Sequence, residues 1–176
     1  MAKLVPENHP ALHTIAEEIT TEDFDNGVVK KLVKDLRTAI KTYDVDGYAA
    51  VAIAAPQIGI SKRIFLIEDQ SERDDALPTV IAINPRITKV SKKTREVGEG
   101  CLSIPDTYGL VWRHKNVTIE ALDETGVPFT RGAGGLLAQI IQHENDHLDG
   151  ILFTDRSNKI WHKGEAPLDG SDEYED

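Results

Sequence analysis

Apolar residues recur along this chain with two periods. Val29, Leu32, Val33, Leu36 and Ile40 fall three and four positions apart, the spacing of one buried helix face. Thr21-Glu22-Asp23 supplies a start whose acids complement the helix dipole. Together they predict one helix of about five turns over residues 21–43, closed by Asp46-Gly47. Runs that are continuous or alternate at period two predict strands at residues 63–67, 79–84, 86–90, 111–113, 116–122 and 127–130. Turns fall at Asn84-Pro85, at residues 92–95 and at residues 123–126. Leu4-Val5 reads as a short strand and residues 10–16 as a short helix. Residues 49–59 read as a strand of small side chains that ends in a Pro56-Gln57 turn, with Gln57 facing either solvent or a polar partner. Residues 68–76 hold six charges among nine positions and read as an exposed loop. A last helix carries Leu136, Leu137, Ile140 and Ile141 on its apolar side and runs into residues 142–150.

Length and charge narrow the picture. At 176 residues the chain is one domain by expectation, with a folded unit over residues 1–160. Residues 161–176 read as an acidic, disordered tail in which Trp161 packs back, because residues 165–176 hold six acids and no base. The formal charge of −10 argues against DNA or other nucleic acid as the main ligand. No basic and apolar leader opens the chain, and its longest apolar run, residues 48–55, is too short for a bilayer, so no membrane is expected. Cys101 is the only cysteine, so it forms no internal disulfide, and a reducing, cytoplasmic compartment is expected.

The chemistry concentrates at residues 142–150, Gln-His-Glu-Asn-Asp-His-Leu-Asp-Gly. On a helix, His143 and His147 share a face and both imidazoles can reach one ion, with Glu144 beside them to address a bound water. That is the layout of metal-assisted hydrolysis, although a surface helix with two solvated histidines has the same pattern. A third ligand discriminates. In the HExxHxxGxxH pattern Gly150 matches, but Phe153 stands at the last histidine and the only methionine is Met1. Glu165, the sole distant acid for a thermolysin-like site, falls in the acidic tail. Cys101, between Gly100 and Leu102, is either a core thiol or the missing ligand; a thiolate, two imidazoles and a water make a four-coordinate hydrolytic site.

Three segments jointly resemble the peptide deformylase family. They are residues 50–57 (Ala-Val-Ala-Ile-Ala-Ala-Pro-Gln, against the family's GxGxAAxQ), Glu99-Gly100-Cys101-Leu102-Ser103, and residues 142–150. The resemblance implies an α+β fold, with mixed, mainly antiparallel sheets wrapped around a central HExxH helix. It implies removal of the N-formyl group from the formyl-methionine of nascent polypeptides, with release of formate. Cys101, His143 and His147 map onto the family's metal ligands, Glu144 onto its general acid/base, and Gln57 with the Leu102 N–H onto its oxyanion donors. The implied ion is Fe2+, with Zn2+, Ni2+ or Co2+ tolerated. The peptide is expected to lie extended near Ala52 and Gly100, its methionine side chain among Val51, Leu136 and Ile140. Glu99 is expected to pair with Arg113, and Asp146 to support the ligand helix.

Departures from the family pattern mark where behaviour can differ. Ala50 and Ala52 replace both motif glycines, which strains any position that needs a positive φ and narrows the peptide's side of the cleft. Gln139 stands beside the expected methionine pocket, where the family is commonly aliphatic. No long basic helix follows Arg156, so proximity to the ribosome is expected without a docking helix, and the protein is expected to be a monomer. The alternatives are a metal-dependent amidase or peptidase of altered specificity, and a non-catalytic deformylase-like peptide binder; retention of Gln57 and Glu144 weighs against the latter.

Overall fold

The structure, a computed structural model, describes residues 3–45, 48–71 and 76–165. Two short helices and one long one precede the first sheet. Pro10–Leu12 form a 3-10 turn, shorter than the helix expected there. Leu4-Val5 is not a strand; the Val5 N–H instead makes one bond, 2.9 Å, to the Gln57 carbonyl. The single helix expected over residues 21–43 is two: α1 (Thr21–Asp25) and α2 (Val28–Thr42). Thr20 caps α1 reciprocally with Asp23. Gly27 then adopts φ +74°, a left-handed conformation that stops one helix and starts the next. Asp46-Gly47 lies outside the described residues.

A hairpin of β1 (Asp44–Val45) and β2 (Tyr48–Ala49) leads into β3 (Ala52–Ala54), β4 (Ile64–Ile67) and β5 (Val80–Val90). β6 (Thr94–Cys101), β7 (Ile104–His114), β8 (Asn116–Leu122) and β9 (Pro128–Gly134) follow. Then come α3 (Gly135–Leu148), α4 (Phe153–Arg156) and β10 (Lys159–His162). Antiparallel pairing builds a five-stranded sheet, β3-β4-β5-β8-β9, and a three-stranded sheet, β10-β7-β6. The fold is therefore α+β. Among the described residues no helix is long and apolar enough to cross a membrane.

The continuous apolar run Ile64-Phe65-Leu66-Ile67 has a simple cause: β4 is covered on both faces. Ile64 and Leu66 pack with Val29, Leu32, Val33 and Leu36 of α2, whereas Phe65 and Ile67 pack with Ala138, Ile141 and Leu148 of α3. β5 is one strand where a break at Asn84-Pro85 was expected. Asn84, at φ +51°, sits in a register shift between Ile83 and Arg86, and such an irregularity accommodates the proline's missing N–H. The Asn84 amide replaces the lost ladder bonds by pairing with both backbone groups of Ile19 at 2.8 Å.

A third core lies under the smaller sheet, where Phe153 joins Leu12, Ile104, Val111 and Leu152. Gly150 ends the α3 turn at φ +72°, and a Cβ there would sit 2.7 Å from the Thr14 backbone nitrogen. β10 pairs with β7 through His162, and Trp161 stacks on Tyr108 with ring centroids 6.2 Å apart. Ordered structure thus continues past residue 160, where the tail was expected to begin; residues 166–176 lie outside those described.

Candidate active site

Strand β6 and helix α3 bring the two chemical segments together. Cys101 is the last residue of β6, and His143 and His147 lie one turn apart on α3. Their donor atoms all fall within 4.8 Å of one another, with Cys101 Sγ 3.3 Å from His147 Nε2. One thiolate and two imidazoles suit a first-row divalent ion.

The surroundings fix the donors. Glu99, two residues before Cys101 on the same strand face, accepts His143 Nδ1 at 3.0 Å. With the proton on Nδ1, Nε2 of His143 is left as the ligating atom. Arg113 holds Glu99 in a bidentate pair, 2.8 Å on each side, and donates at 2.5 Å to Asp146. Arg156 grips the same Asp146 with two bonds of 2.6 Å. The resulting chain, His143–Glu99–Arg113–Asp146–Arg156, ties β6, β7, α3 and α4 into one support.

Charge follows from this arrangement. Burial pushes Glu99 up, but Arg113 and His143 outweigh it and hold the carboxyl at about 2. Burial likewise opposes ionisation of Cys101, yet the facing imidazoles of His147 and His143 bring the thiol well below its usual value. Burial opposes the charge on His143 too, and Cys101 and Glu99 overcome it, raising that imidazole well above its usual value. The Cys101 thiolate against the positive His143 imidazole is a charge pattern that a divalent cation satisfies in place of the protons.

Glu144 is different. It is 3% exposed, and its Oε2 has no hydrogen-bond partner among the described residues. Burial raises it to about 7; the neighbouring histidines oppose this and the Cys101 and Glu99 charges add to it. Gln57 sits in a 3-10 turn, Ala55–Ile58, with Pro56 as its second residue. It is 2% exposed, so it does not face solvent. Its Oε1 accepts the Ala54 N–H at 2.8 Å, which turns Nε2 toward Cys101 Sγ at 3.4 Å. Leu102 lies in the tight turn between β6 and β7.

A cavity of about 730 Å³ opens over these groups, lined by Val51, Ala52, Gly100, Leu102, Ile140 and Glu144 among others. Leu136 is not in the lining. It belongs to the first turn of α3 and is 52% exposed, whereas Gln139 and Ile140, one turn on, reach the cavity. Gln139 donates to the Gly98 carbonyl at 2.9 Å. Ala50 and Ala52 both line the cavity, and neither has a positive φ, so alanine introduces no backbone strain. A smaller cleft of about 340 Å³ along α2 is lined by Lys30, Lys34, Arg37 and Lys41 and holds none of these groups.

Sequence reasoning paired Glu99 with Arg113 but missed the Glu99–His143 bond, although the strand alternation of Glu99 and Cys101 carried that signal. Nothing local pointed to Arg156, whose partner lies on another helix. Tyr108, also in the cavity lining, was missed because its place depends on the β6–β7 register.

Known proteins are similar to this chain over most of its length. The polypeptide deformylase family model matches residues 1–163. A peptide deformylase from Symbiobacterium thermophilum is 41% identical over 152 residues, which cover 85% of this chain and 64% of the relative. Peptide deformylase 1 of Bacillus subtilis is 40% identical over 165 residues, covering 92% of this chain and 95% of the relative. The chain therefore spans less than two thirds of the first relative and nearly all of the second. A crystal structure of class I type b peptide deformylase from Acinetobacter baumannii, bound to Met-Ala-Ser, superposes with a TM-score of 0.78 at 30% identity. That likeness covers 89% of this chain and 99% of the other. Likeness of this extent runs through every segment that meets at the cavity, and the chain belongs to the peptide deformylase family.

Proposed function

We propose that this protein hydrolyses the N-formyl group of formyl-methionyl nascent chains, releasing formate and a free amino terminus, in the cytoplasm. One observation carries the reading: a buried carboxylate with a free oxygen, Glu144, sits beside the Cys101-His143-His147 cluster at the floor of an open cleft. In this reading Cys101 Sγ and the two imidazoles hold one divalent ion, Fe2+ by assignment, with Zn2+, Ni2+ or Co2+ as substitutes. Such an ion supplies an activated water and positive charge at the reacting carbonyl.

The chain's own groups do the rest. Glu144, held near neutrality by burial, takes a proton from the attacking water and returns it to the leaving amine as the formyl C–N bond breaks. The Gln57 Oε1 anchor keeps Nε2 aimed at the centre, and an amide nitrogen has a second hydrogen beyond the one facing sulfur. That hydrogen and the Leu102 N–H donate to the formyl oxygen as negative charge grows on it; fixed donors of this kind are worth ~3 kcal/mol apiece. β3 and β6 are both edge strands, and the cleft runs between Ala52 on one and Gly100 on the other. An extended peptide can pair there, with its first side chain against Val51 and Ile140.

Formate release from formyl-Met-Ala-Ser tests this, using protein loaded anaerobically with iron and acetyl-Met-Ala-Ser as the control. Release of formate at a rate well above that of acetate supports deformylation. Hydrolysis of the acetyl peptide alone would mean an amidase of different specificity, and no turnover by metal-loaded protein would mean a peptide binder.

A further inference from the structure

The outward face of the three-stranded sheet carries an apolar and aromatic row along β7, where a solvated face is normally polar throughout. Glu96 flanks the row opposite Trp112 on β6, and Lys159 flanks it opposite Leu110 on β10. β7 places Tyr108, Leu110 and Trp112 on one side of the strand, with Val111 and Arg113 buried on the other. Trp112 is 60% exposed. On β10, Trp161 lies directly opposite Tyr108 and stacks on it. Both tryptophans of the chain are therefore on this face. None of these four side chains belongs to the buried core under the sheet, which consists of Leu12, Ile104, Val111, Leu152 and Phe153.

The face is continuous with the substrate cleft. On β6, Gly98 and Gly100 stand opposite Leu110 and Tyr108, and both glycines and Tyr108 line the cavity. A Cβ at Gly98 would meet nothing within 4 Å. The sheet edge is thus bare of side chains where the cleft ends and the aromatic side chains begin. From the Gly100–Tyr108 row to the Glu96–Trp112 row is four residues of strand, ~13 Å.

We propose that this face extends the cleft, receiving the part of the nascent chain beyond its first three residues and favouring apolar and aromatic side chains there. The proposal rests on the deformylase reading. The continuity of the bare edge with the cleft selects the substrate's own chain as occupant over a second copy of the protein. An isolated aromatic platform would not make that distinction. Aromatic contacts of this kind contribute several-fold in an equilibrium constant beyond their burial, so the effect is large enough to measure.

Three formyl peptides test it: Met-Ala-Ser, the same extended by Leu-Phe-Lys-Leu, and the same extended by Ser-Gly-Lys-Ser. The apolar heptapeptide is expected to show about fivefold higher kcat/KM than the polar one, mainly through KM. Trp112→Ser removes that advantage and leaves tripeptide turnover unchanged, because Trp112 lies outside the cavity lining. Binding of the unformylated apolar heptapeptide shifts tryptophan emission to the blue, and Met-Ala-Ser does not. Equal kcat/KM for all three peptides overturns the proposal, as does a dimer that Trp112→Ser dissociates. Failure of tripeptide turnover counts against the deformylase reading instead, and the emission shift still tests the face.

Discussion

Glu144→Ala retains its metal and releases formate about a thousandfold more slowly than the parent protein. The expectation follows from what Glu144 does not do. It is not one of the three clustered donors, and its Oε2 bonds to nothing among the described residues, so its removal leaves the Cys101-His143-His147 group standing. Burial also makes it a stability cost: its value of about 7 lies above the ordinary 4.5, so the folded state disfavours its ionisation. The metal-free variant therefore melts no lower than metal-free parent, separating lost chemistry from lost fold. The pH profile carries the sign. A base must be ionised, so kcat/KM rises with pH along an acid limb at or below about 7, and a cation beside Glu144 moves that limb downward. Metal analysis, melting curves and formate assays on the two proteins check all three points. A variant that hydrolyses normally would remove Glu144 from the mechanism.

Arg113→Met destabilises the fold by about 3–5 kcal/mol, because it leaves the carboxylates of Glu99 and Asp146 buried without their shared partner. For a chain of this size that is a fall in melting temperature of about 10 °C. The same change frees Glu99 from the position in which it orients His143, so metal affinity falls about 10- to 100-fold. Acid stability gives an independent sign. Glu99 titrates at about 2 in the folded protein against an ordinary 4.5, so its contribution is complete above 4.5 and is lost as pH falls toward 2. In Arg113→Met burial is left to raise the folded-state value of Glu99, so the loss of stability between pH 4.5 and 2 is smaller than in the parent protein. Thermal melts across pH 2–7 measure both effects, and an unchanged acid profile would mean that Arg113 does not set the state of Glu99.

Much of the fold was legible because local patterns and tertiary packing agree. The three-and-four spacing in α2 reads the face that packs on β4, and the unbroken apolar run of β4 reads a strand covered twice. The errors came where one residue's conformation overrides periodicity. Gly27 at φ +74° splits a helix that the apolar spacing runs through, and the irregularity at Asn84 keeps one strand where Asn-Pro suggests a turn. Periodicity read α3 in part: Ile141 is buried and Leu137 and Ile140 pack against the core, but Leu136 does not. Its buried face includes Gln142, Glu144, Asp146 and His147, while the apolar Leu136 is exposed, because the helix turns its polar residues inward to the site.

The cluster itself was visible from residue types and helical spacing, once Phe153 had ruled out the longer histidine pattern; that phenylalanine turns out to be core and to stack near His143. What stayed hidden was support across long sequence distance. Arg156 to Asp146 and the β7 side of the cleft depend on strand register, which no local pattern encodes.

Turnover measured against metal content tests the Cys-His-His assignment most directly. Protein stripped by a chelator releases no formate from formyl-Met-Ala-Ser, and anaerobic titration with Fe2+ restores turnover linearly to a break at one ion per chain, a break that Cys101→Ala abolishes. Full turnover in the stripped protein, or an unchanged break in Cys101→Ala, would contradict it.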